Sequence, residues 1–239
     1  MTFESGLFDI HSHILPKVDD GSASVDESRQ LLDELDCQGV AVIAATPHFY
    51  ADRDNPSSFF ERRNLSFSQL QEQLNPGITI LPGAEVYYYT GISRTEELQE
   101  FAIASTNLLL IEMPFVDWTE NVIHEILTIQ KYRKLQVVLA HIDRYPFFAN
   151  RKYLMEMYRN GVLFQVNADA FLNRKSRGTV LRLLKKKMVH FVASDCHNMR
   201  SRMPRLEEAY AVIEKKLGAS YIQWLRENSR SVLEGGVPD

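Results

Sequence analysis

Cysteine is nearly absent: Cys37 and Cys196 are the only two among 239 residues. Two thiols make no disulfide framework, which excludes the stapled secreted scaffolds and points to a reducing compartment. No apolar run approaches the ~20 residues a membrane-spanning helix needs, so no insertion into a bilayer is expected. The opening Met1-Thr2-Phe3-Glu4-Ser5 lacks the basic, apolar and small-residue layout of a secretory signal. A basic excess is missing as well, since 27 Lys and Arg stand against 31 Asp and Glu, a net charge of −4. Nucleic-acid binding, which usually leaves a cationic footprint, is therefore not expected. No Ser/Gly/Pro-rich linker, composition break or internal repeat divides the chain. The expectation is one cytoplasmic domain over 1–239.

What is present is alternation. β-rich runs at 7–11, 40–46, 78–85, 108–112, 136–141, 162–167 and 189–194 alternate with helical periodicity. The helical stretches are 24–38, 57–74, 96–102, 119–134, 151–160, 174–187 and 204–217. Val122, Ile126, Leu127, Ile129 and Tyr132 form one apolar stripe. Thr119 reads as an N-cap, Gly39 and Gly161 follow helices, and Pro204 suits a first turn. Lys185-Lys186-Lys187 sits at a helix end, where solvated cations suit the dipole. Runs such as Val40-Ala-Val-Ile-Ala-Ala are apolar on both faces, as doubly buried parallel strands are. Strict β–α alternation over this length predicts a closed barrel or a doubly wound open sheet.

The residues that end each strand carry the chemistry. They are His11-Ser12-His13 with Asp19-Asp20-Gly21 after it, Thr46-Pro47-His48, Gly83-Ala84-Glu85, Glu112, and His141-Ile142-Asp143-Arg144. Gln165-Val166-Asn167 and Ser194-Asp195-Cys196-His197 complete the set. In a parallel α/β barrel those ends converge on the face that holds the active site. Residues i and i+2 of an extended segment point the same way, so His11 and His13 can grip one cation, as can Asp195 and His197. Imidazoles with carboxylates and no thiolate suit Zn, Mn or Fe. His124, inside a helix, and His190, at a strand start, read as surface and packing residues. Arg144, Arg200, Arg202 and Arg205 stand close to the histidines, and guanidinium forks match phosphate oxygens, which suggests a phosphate ester substrate. Phe49-Tyr50, Tyr87-Tyr88-Tyr89, Trp118 and Phe147-Phe148 fall just past strand ends and could flank an aromatic ester.

The pattern D-I-H-S-H-I-L-P-x-V-D-D-G, T-P-H, G-A-E, I-E, A-H-I-D-R-Y, Q-V-N and S-D-x-H-N resembles the polymerase-and-histidinol-phosphatase (PHP) superfamily. Within it, the sequence is similar to the bacterial capsular-polysaccharide protein-tyrosine phosphatases of the CpsB/YwqE type, from about residue 8 to 210. The resemblance implies a distorted TIM-like (β/α)7 barrel of the PHP type and three divalent metal ions, Mn or Fe, with Zn as a further candidate. One ion would take His11, His13, Glu85 and Asp195; a second would share Glu85 and add Glu112 and His141. The third would take Asp20, His48 and His197, while Arg144 and Arg202 would hold the substrate phosphate. Asp143 departs from the pattern, because related sequences mostly carry Glu there. The implied activity is phosphotyrosine hydrolysis, with the tyrosine-rich tail of a bacterial kinase of capsule or exopolysaccharide synthesis as partner. A hydroxide held between two metals would attack phosphorus in line with the tyrosyl oxygen.

Four other readings compete. A phosphoesterase for a small phosphomonoester such as histidinol phosphate would share the metal cluster and differ only in its pocket loops. A metal-dependent amidohydrolase would place a metal-bridging Lys at a strand end, where this chain has Glu85 and Glu112 instead. A non-catalytic scaffold would need broken ligand positions, and these are intact. Finally, Cys196 and Arg202 satisfy the C-x₅-R spacing of cysteine-dependent phosphatases, but the intervening residues contain no Gly and Cys196 alternates away from Asp195 and His197.

Overall fold

The computed structural model describes residues 6–72 and 78–233. The strands are β1 (Leu7–Ser12), β2 (Val40–Ala45), β3 (His48–Phe49), β4 (Thr79–Pro82), β5 (Glu85–Tyr87), β6 (Leu108–Glu112), β7 (Gln136–Leu139), β8 (Leu163–Asn167) and β9 (Phe191–Ala193). The helices are α1 (Val25–Cys37), α2 (Pro56–Gln71), α3 (Glu120–Tyr132), α4 (Phe147–Arg159), α5 (Ala168–Leu172), α6 (Arg177–Lys185), α7 (Leu206–Leu217) and α8 (Ala219–Leu233). All strand pairings are parallel, in the orders β1-β2-β4 and β3-β5-β6-β7-β8-β9.

These pieces make seven staves of a distorted barrel. The expected strand 40–46 is β2, and its stave resumes past Pro47 as β3, while the expected strand 78–85 is broken into β4 and β5. Pro47 has no N–H to continue a ladder, and Gly83 passes so close to Ile103 that an added Cβ would stand 3.1 Å from its side chain. Hydrogen bonding bridges the breaks, since Gly83 N–H donates to Ala45 O at 2.8 Å and Glu85 N–H donates to Pro47 O at 3.0 Å. The last stave returns to the first: Asp195 N–H donates to His11 O and His13 N–H to Cys196 O, both at 2.9 Å.

Side-chain alternation then sorts the interior. Leu108 and Leu110 share a face with Glu112, Leu163 with Gln165, and Phe191 and Ala193 with Asp195. The apolar members form one buried cluster beneath the polar ones, together with Ile10, Ala44, Val138 and Ala140. Residues of opposite parity, such as Leu109, Ile111, Val137 and Phe164, pack outward into the core shared with the helices. The apolar runs are thus buried on both faces, and polar side chains gather only where the strands end.

The helices follow their local signals, with several differences. Ser24 caps α1 by accepting Glu27 N–H at 3.1 Å, and Asn55 caps α2 by accepting Ser58 N–H at 3.0 Å. Thr119 holds the N-cap position of α3 without a side-chain capping bond, and Pro204 precedes the N-cap Arg205 of α7 rather than entering its first turn. The expected helix 174–187 is α6, shortened to Arg177–Lys185; α5 forms ahead of it where no helix was expected, and 96–102 is a tight 3₁₀ segment, Glu96–Phe101. The end of the expected helix 57–74 lies outside the described residues. Helix α8 was not expected, because Gly218 with φ of +98° reads as a terminus; its Val232 nevertheless joins the barrel-interior cluster. No helix among the described residues is long and apolar enough to cross a membrane.

Candidate metal centre

The first stave delivers His11 and His13 side by side, with their Nε2 atoms 3.1 Å apart. At that distance one nitrogen can donate to the other, or both can turn their lone pairs to one cation. Glu85 Oε2 lies 3.0 and 3.2 Å from the two nitrogens, and Asp195 Oδ1 lies 3.5 and 3.4 Å from them. Ligand atoms held 2.0–2.2 Å from a tetrahedral ion stand about 3.3–3.6 Å from one another. These four atoms therefore already approximate the edges of one coordination shell.

Glu85 faces two ways. Its Oε1 meets His141 Nε2 at 2.9 Å, and Glu112 Oε1 lies 3.3 Å from the same nitrogen. A third group forms at the open side, where Asp20 Oδ1 stands 3.7 Å from His48 Nε2 and 3.5 Å from His197 Nε2. All nine ligand candidates from the sequence thus converge. One detail differs from the expectation: His48 also turns Nδ1 toward Glu85 Oε2, at 3.1 Å, and so faces both the second and third groups. The candidate ligand atoms of His13, Asp20, His48 and His197, of His11, His13, Glu85 and Asp195, and of His48, Glu85 and Glu112 each lie within 4.8 Å of one another.

The donor set fits divalent cations on an independent observation. Glu85 Oε2, Asp195 Oδ1, His48 Nδ1 and His197 Nε2, all on the cluster side, are buried without a hydrogen-bond partner. Each orphaned polar atom costs about 1–3 kcal/mol, so such a cluster persists only where something else satisfies it. Titration tells the same story. Burial pushes the Glu85 and Asp195 carboxyls up, but the surrounding imidazoles outweigh it and hold both well below the usual carboxylate range. Burial lowers His141 too, yet hydrogen bonds to Glu112 and Glu85 carry it to about 10.

Asp19 and Gln165, which the sequence placed at strand ends without a role, and Asp9, which it did not single out, support the cluster. Asp19 Oδ2 accepts from His13 Nδ1 at 2.6 Å and from His48 N–H at 2.8 Å, while its Oδ1 accepts Gly21 N–H at 2.9 Å. Gln165 Oε1 accepts His141 N–H at 2.6 Å and lies 3.2 Å from His11 Nδ1. Asp9 accepts from the backbone and hydroxyl of Ser194, and burial pushes its carboxyl up to about 6. Such partners fix ring orientation and raise ligand basicity. The only signal for Asp9 was parity, two residues before His11.

The two predicted phosphate arginines meet the cluster through Asp195. Arg202 Nη2 donates to Asp195 Oδ2 at 2.8 Å, and Arg144 Nη1 lies 3.7 Å from the same oxygen. Asn167 Nδ2 donates there too, at 2.7 Å, and Asp143 positions Asn167 by accepting its N–H at 3.0 Å. Arg205 instead clamps Glu208 with two 2.7 Å bonds, and Arg200 points to solvent. Phe115, half-exposed, carries Arg144 over its ring at 5.0 Å and lies nearly parallel to His141. Tyr50 stands 5.0 Å from His48 and 5.5 Å from Tyr87, beside a cavity of about 460 Å³ lined by Asp20, His48, Arg53 and Arg62. Phe49, Tyr88 and Trp118 are buried packing residues, and the side chains of Phe147 and Phe148 lie outside the described residues.

Three other expectations resolve here. The Cys196 thiol is fully buried, and burial pushes it up to about 12, so it is no nucleophile. His190 is a core residue whose Nδ1 accepts Phe164 N–H at 3.0 Å, and burial lowers it to about 4. His124 is exposed on α3.

Known proteins share this arrangement of chain. The family model for capsular polysaccharide synthesis, CpsB/CapC, matches residues 7–234. Tyrosine-protein phosphatase CpsB of Streptococcus agalactiae is 32% identical over 95% of this chain and 98% of its own length. Tyrosine-protein phosphatase YwqE of Bacillus subtilis is 27% identical over 95% of this chain and 91% of its own. A solved structure, described in work on YwqE from Bacillus subtilis and CpsB from Streptococcus pneumoniae as metal-dependent tyrosine phosphatases, superposes with a TM-score of 0.85. It is 26% identical, covering 97% of this chain and 96% of that one.

Proposed function

This chain belongs to the CpsB/CapC family of capsular polysaccharide synthesis, and we propose that it is a metal-dependent phosphatase that hydrolyses phosphotyrosine on proteins. The observation that carries the reading is the two-sidedness of Asp195. Its Oδ1 faces the histidine cluster, while its Oδ2 gathers Arg202, Arg144 and Asn167. A cation site and an anion site thus share one carboxylate, which is the layout a phosphate ester requires.

Three divalent ions, Mn or Fe, would be held by His11, His13, Glu85 and Asp195, by Glu85, Glu112 and His141, and by Asp20, His48 and His197. When bound, such ions supply an activated water at neutral pH and positive charge towards the phosphate. Arg144 and Arg202 bind the equatorial phosphate oxygens and neutralise the charge spread over them in the transition state. Asp19 and Gln165 hold His13 and His11 in the tautomers that aim Nε2 inward. Tyr50, Tyr87 and Phe115 border the site and offer apolar contact to an aromatic ring. The departing tyrosyl oxygen, with a pKa of ~10, needs little help from a general acid. A cytoplasmic, tyrosine-phosphorylated kinase of capsule synthesis is the partner this reading names.

The test is hydrolysis of a phosphotyrosine peptide by protein with measured metal content, alongside histidinol phosphate. The expected result is metal-dependent turnover of the peptide, lost in His11→Ala and Arg144→Ala. Faster turnover of histidinol phosphate, or activity indifferent to chelation, would overturn the proposal.

A further inference from the structure

Behind Asp143, between α4 and α6, opens a second cavity of about 540 Å³. Met155, Val180, Leu183 and Met188 give it an apolar floor, and Arg151, Lys175, Arg182 and Lys186 stand around its rim. All four rim cations are exposed, and none is paired with a carboxylate among the described residues. Residues 174–187 hold seven basic side chains and no acidic one, leaving 20 basic residues against 31 acidic in the rest of the chain. Like charges packed at that density repel one another and concentrate a positive potential over the cavity. The lysine run expected to be a solvated helix end is therefore partly the rim of a pocket.

The chemistry of the lining selects its ligand. A floor of Met, Val and Leu suits a flat apolar group, and a ring of guanidinium and ammonium groups suits a multiply charged anion. An aspartate or glutamate side chain has no apolar body to cover the floor, and inorganic phosphate would leave it bare. A flat membrane surface would not reach a floor recessed between two helices, and the exposed large apolar side chains Leu65, Phe115, Val116, Tyr132 and Met203 lie on other elements. A phosphorylated tyrosine side chain supplies ring and dianion together. Asp143 also lines the cleft that contains Arg144, Asn167 and Arg205, so the cavity adjoins the arginine side of the metal centre.

We propose that this cavity is a second, non-hydrolytic phosphotyrosine subsite, which makes segments bearing two phosphotyrosines the preferred substrate. The inference rests on the phosphatase reading of the metal centre and extends it to substrate choice. The full-length, metal-loaded protein is assayed with synthetic peptides carrying one or two phosphotyrosines, and compared with the Arg182→Ala/Lys186→Ala variant. Both side chains are solvent-exposed, and thermal unfolding confirms the variant's fold. In the unaltered protein, KM for the doubly phosphorylated peptide is expected to fall about tenfold or more below that for the single one, with kcat unchanged. The variant erases that gap and leaves p-nitrophenyl phosphate turnover as it was. Calorimetry with free phosphotyrosine on metal-free protein should show a binding event that the variant loses.

Equal KM values for the two peptides, with phosphotyrosine hydrolysis intact, overturn the subsite and leave the phosphatase reading standing. Absence of phosphotyrosine hydrolysis sinks the phosphatase reading, and the calorimetric arm then decides the subsite alone. If the variant instead loses binding to phosphatidylglycerol vesicles with unchanged peptide kinetics, the basic face meets a membrane and the proposal fails.

Discussion

Asp19 is the sharpest place to test the reading of the centre, because it contributes no ligand atom and yet three hydrogen bonds end on it. Its Oδ2 receives His13 Nδ1 and His48 N–H, and its Oδ1 receives Gly21 N–H. Asp19→Asn keeps the shape and removes the charge. With the amide oxygen in the Oδ2 position, the two bonds to His13 and His48 survive and only Gly21 N–H loses its acceptor. What changes is the basicity of His13, whose Nε2 is one corner of the four-atom shell. Removing such an outer partner costs 10–100-fold in metal affinity or activity, or about 1.4–2.7 kcal/mol. The expected outcome is protein that folds, binds metal about 10–100-fold more weakly by calorimetry, and regains turnover in excess Mn. Asp19→Ala leaves three donors without acceptors, at about 1–3 kcal/mol each where they are buried, and should lower the unfolding midpoint as well. Metal affinity unchanged in Asp19→Asn would refute the argument that this carboxylate tunes the centre. Failure of excess metal to restore turnover would point to a direct role in the chemistry instead.

Other outcomes follow from the same geometry. Cys196→Ser should keep most phosphatase activity, because the thiol is fully buried and burial holds it protonated at about 12; a dead variant with normal metal content would restore the cysteine mechanism. Arg202→Ala and Arg144→Ala should each lower kcat about 10²–10³-fold in steady-state assays with metal content unchanged, the scale for losing one transition-state donor. For pH, His141 stands at about 10 in the folded chain against 6.5 ordinarily, since hydrogen bonds to Glu112 and Glu85 outweigh the burial that lowers it. Its stabilising contribution is therefore complete below pH 6.5 and is lost as pH rises towards about 10. Urea midpoints of chelator-treated protein should fall between those limits, and cation binding, which displaces the same protons, should strengthen over that range. A midpoint that rises with pH in the metal-free protein would contradict this assignment.

The centre was legible in sequence to the extent that strand periodicity fixes direction. His11 and His13 could be paired from their spacing alone, because extended residues two apart share a face. Glu85, Glu112 and His141 could be grouped with them because parallel strands end on one side of the sheet. What periodicity cannot carry is the partner on another stave. Gln165 meets His11 across 154 positions, and Phe115 gains its place only because Arg144 folds over it. The rim of the second cavity exists because α4 and α6 line one opening, so a lysine run that looked like a helix end gave no hint of a concavity.

The backbone holds a further layer that the sequence hides. His141 has φ of +30° and Asp195 has φ of +52°, in the left-handed region that costs an ordinary L-residue roughly 1–2 kcal/mol. Glycine would remove that cost, but it would also remove an imidazole or a carboxylate. Both positions sit where a stave ends and the chain must turn out of the barrel while the side chain keeps pointing into it. At His141 the turn is fixed by its own N–H, which donates to Gln165 at 2.6 Å, and at Asp195 by its N–H, which donates to His11 O at 2.9 Å. The strain is thus held by hydrogen bonds from the neighbouring staves, and it aims both side chains at the cluster. Two candidate ligands in unfavourable backbone conformations are what a barrel rim maintained for chemistry, rather than for stability, would contain.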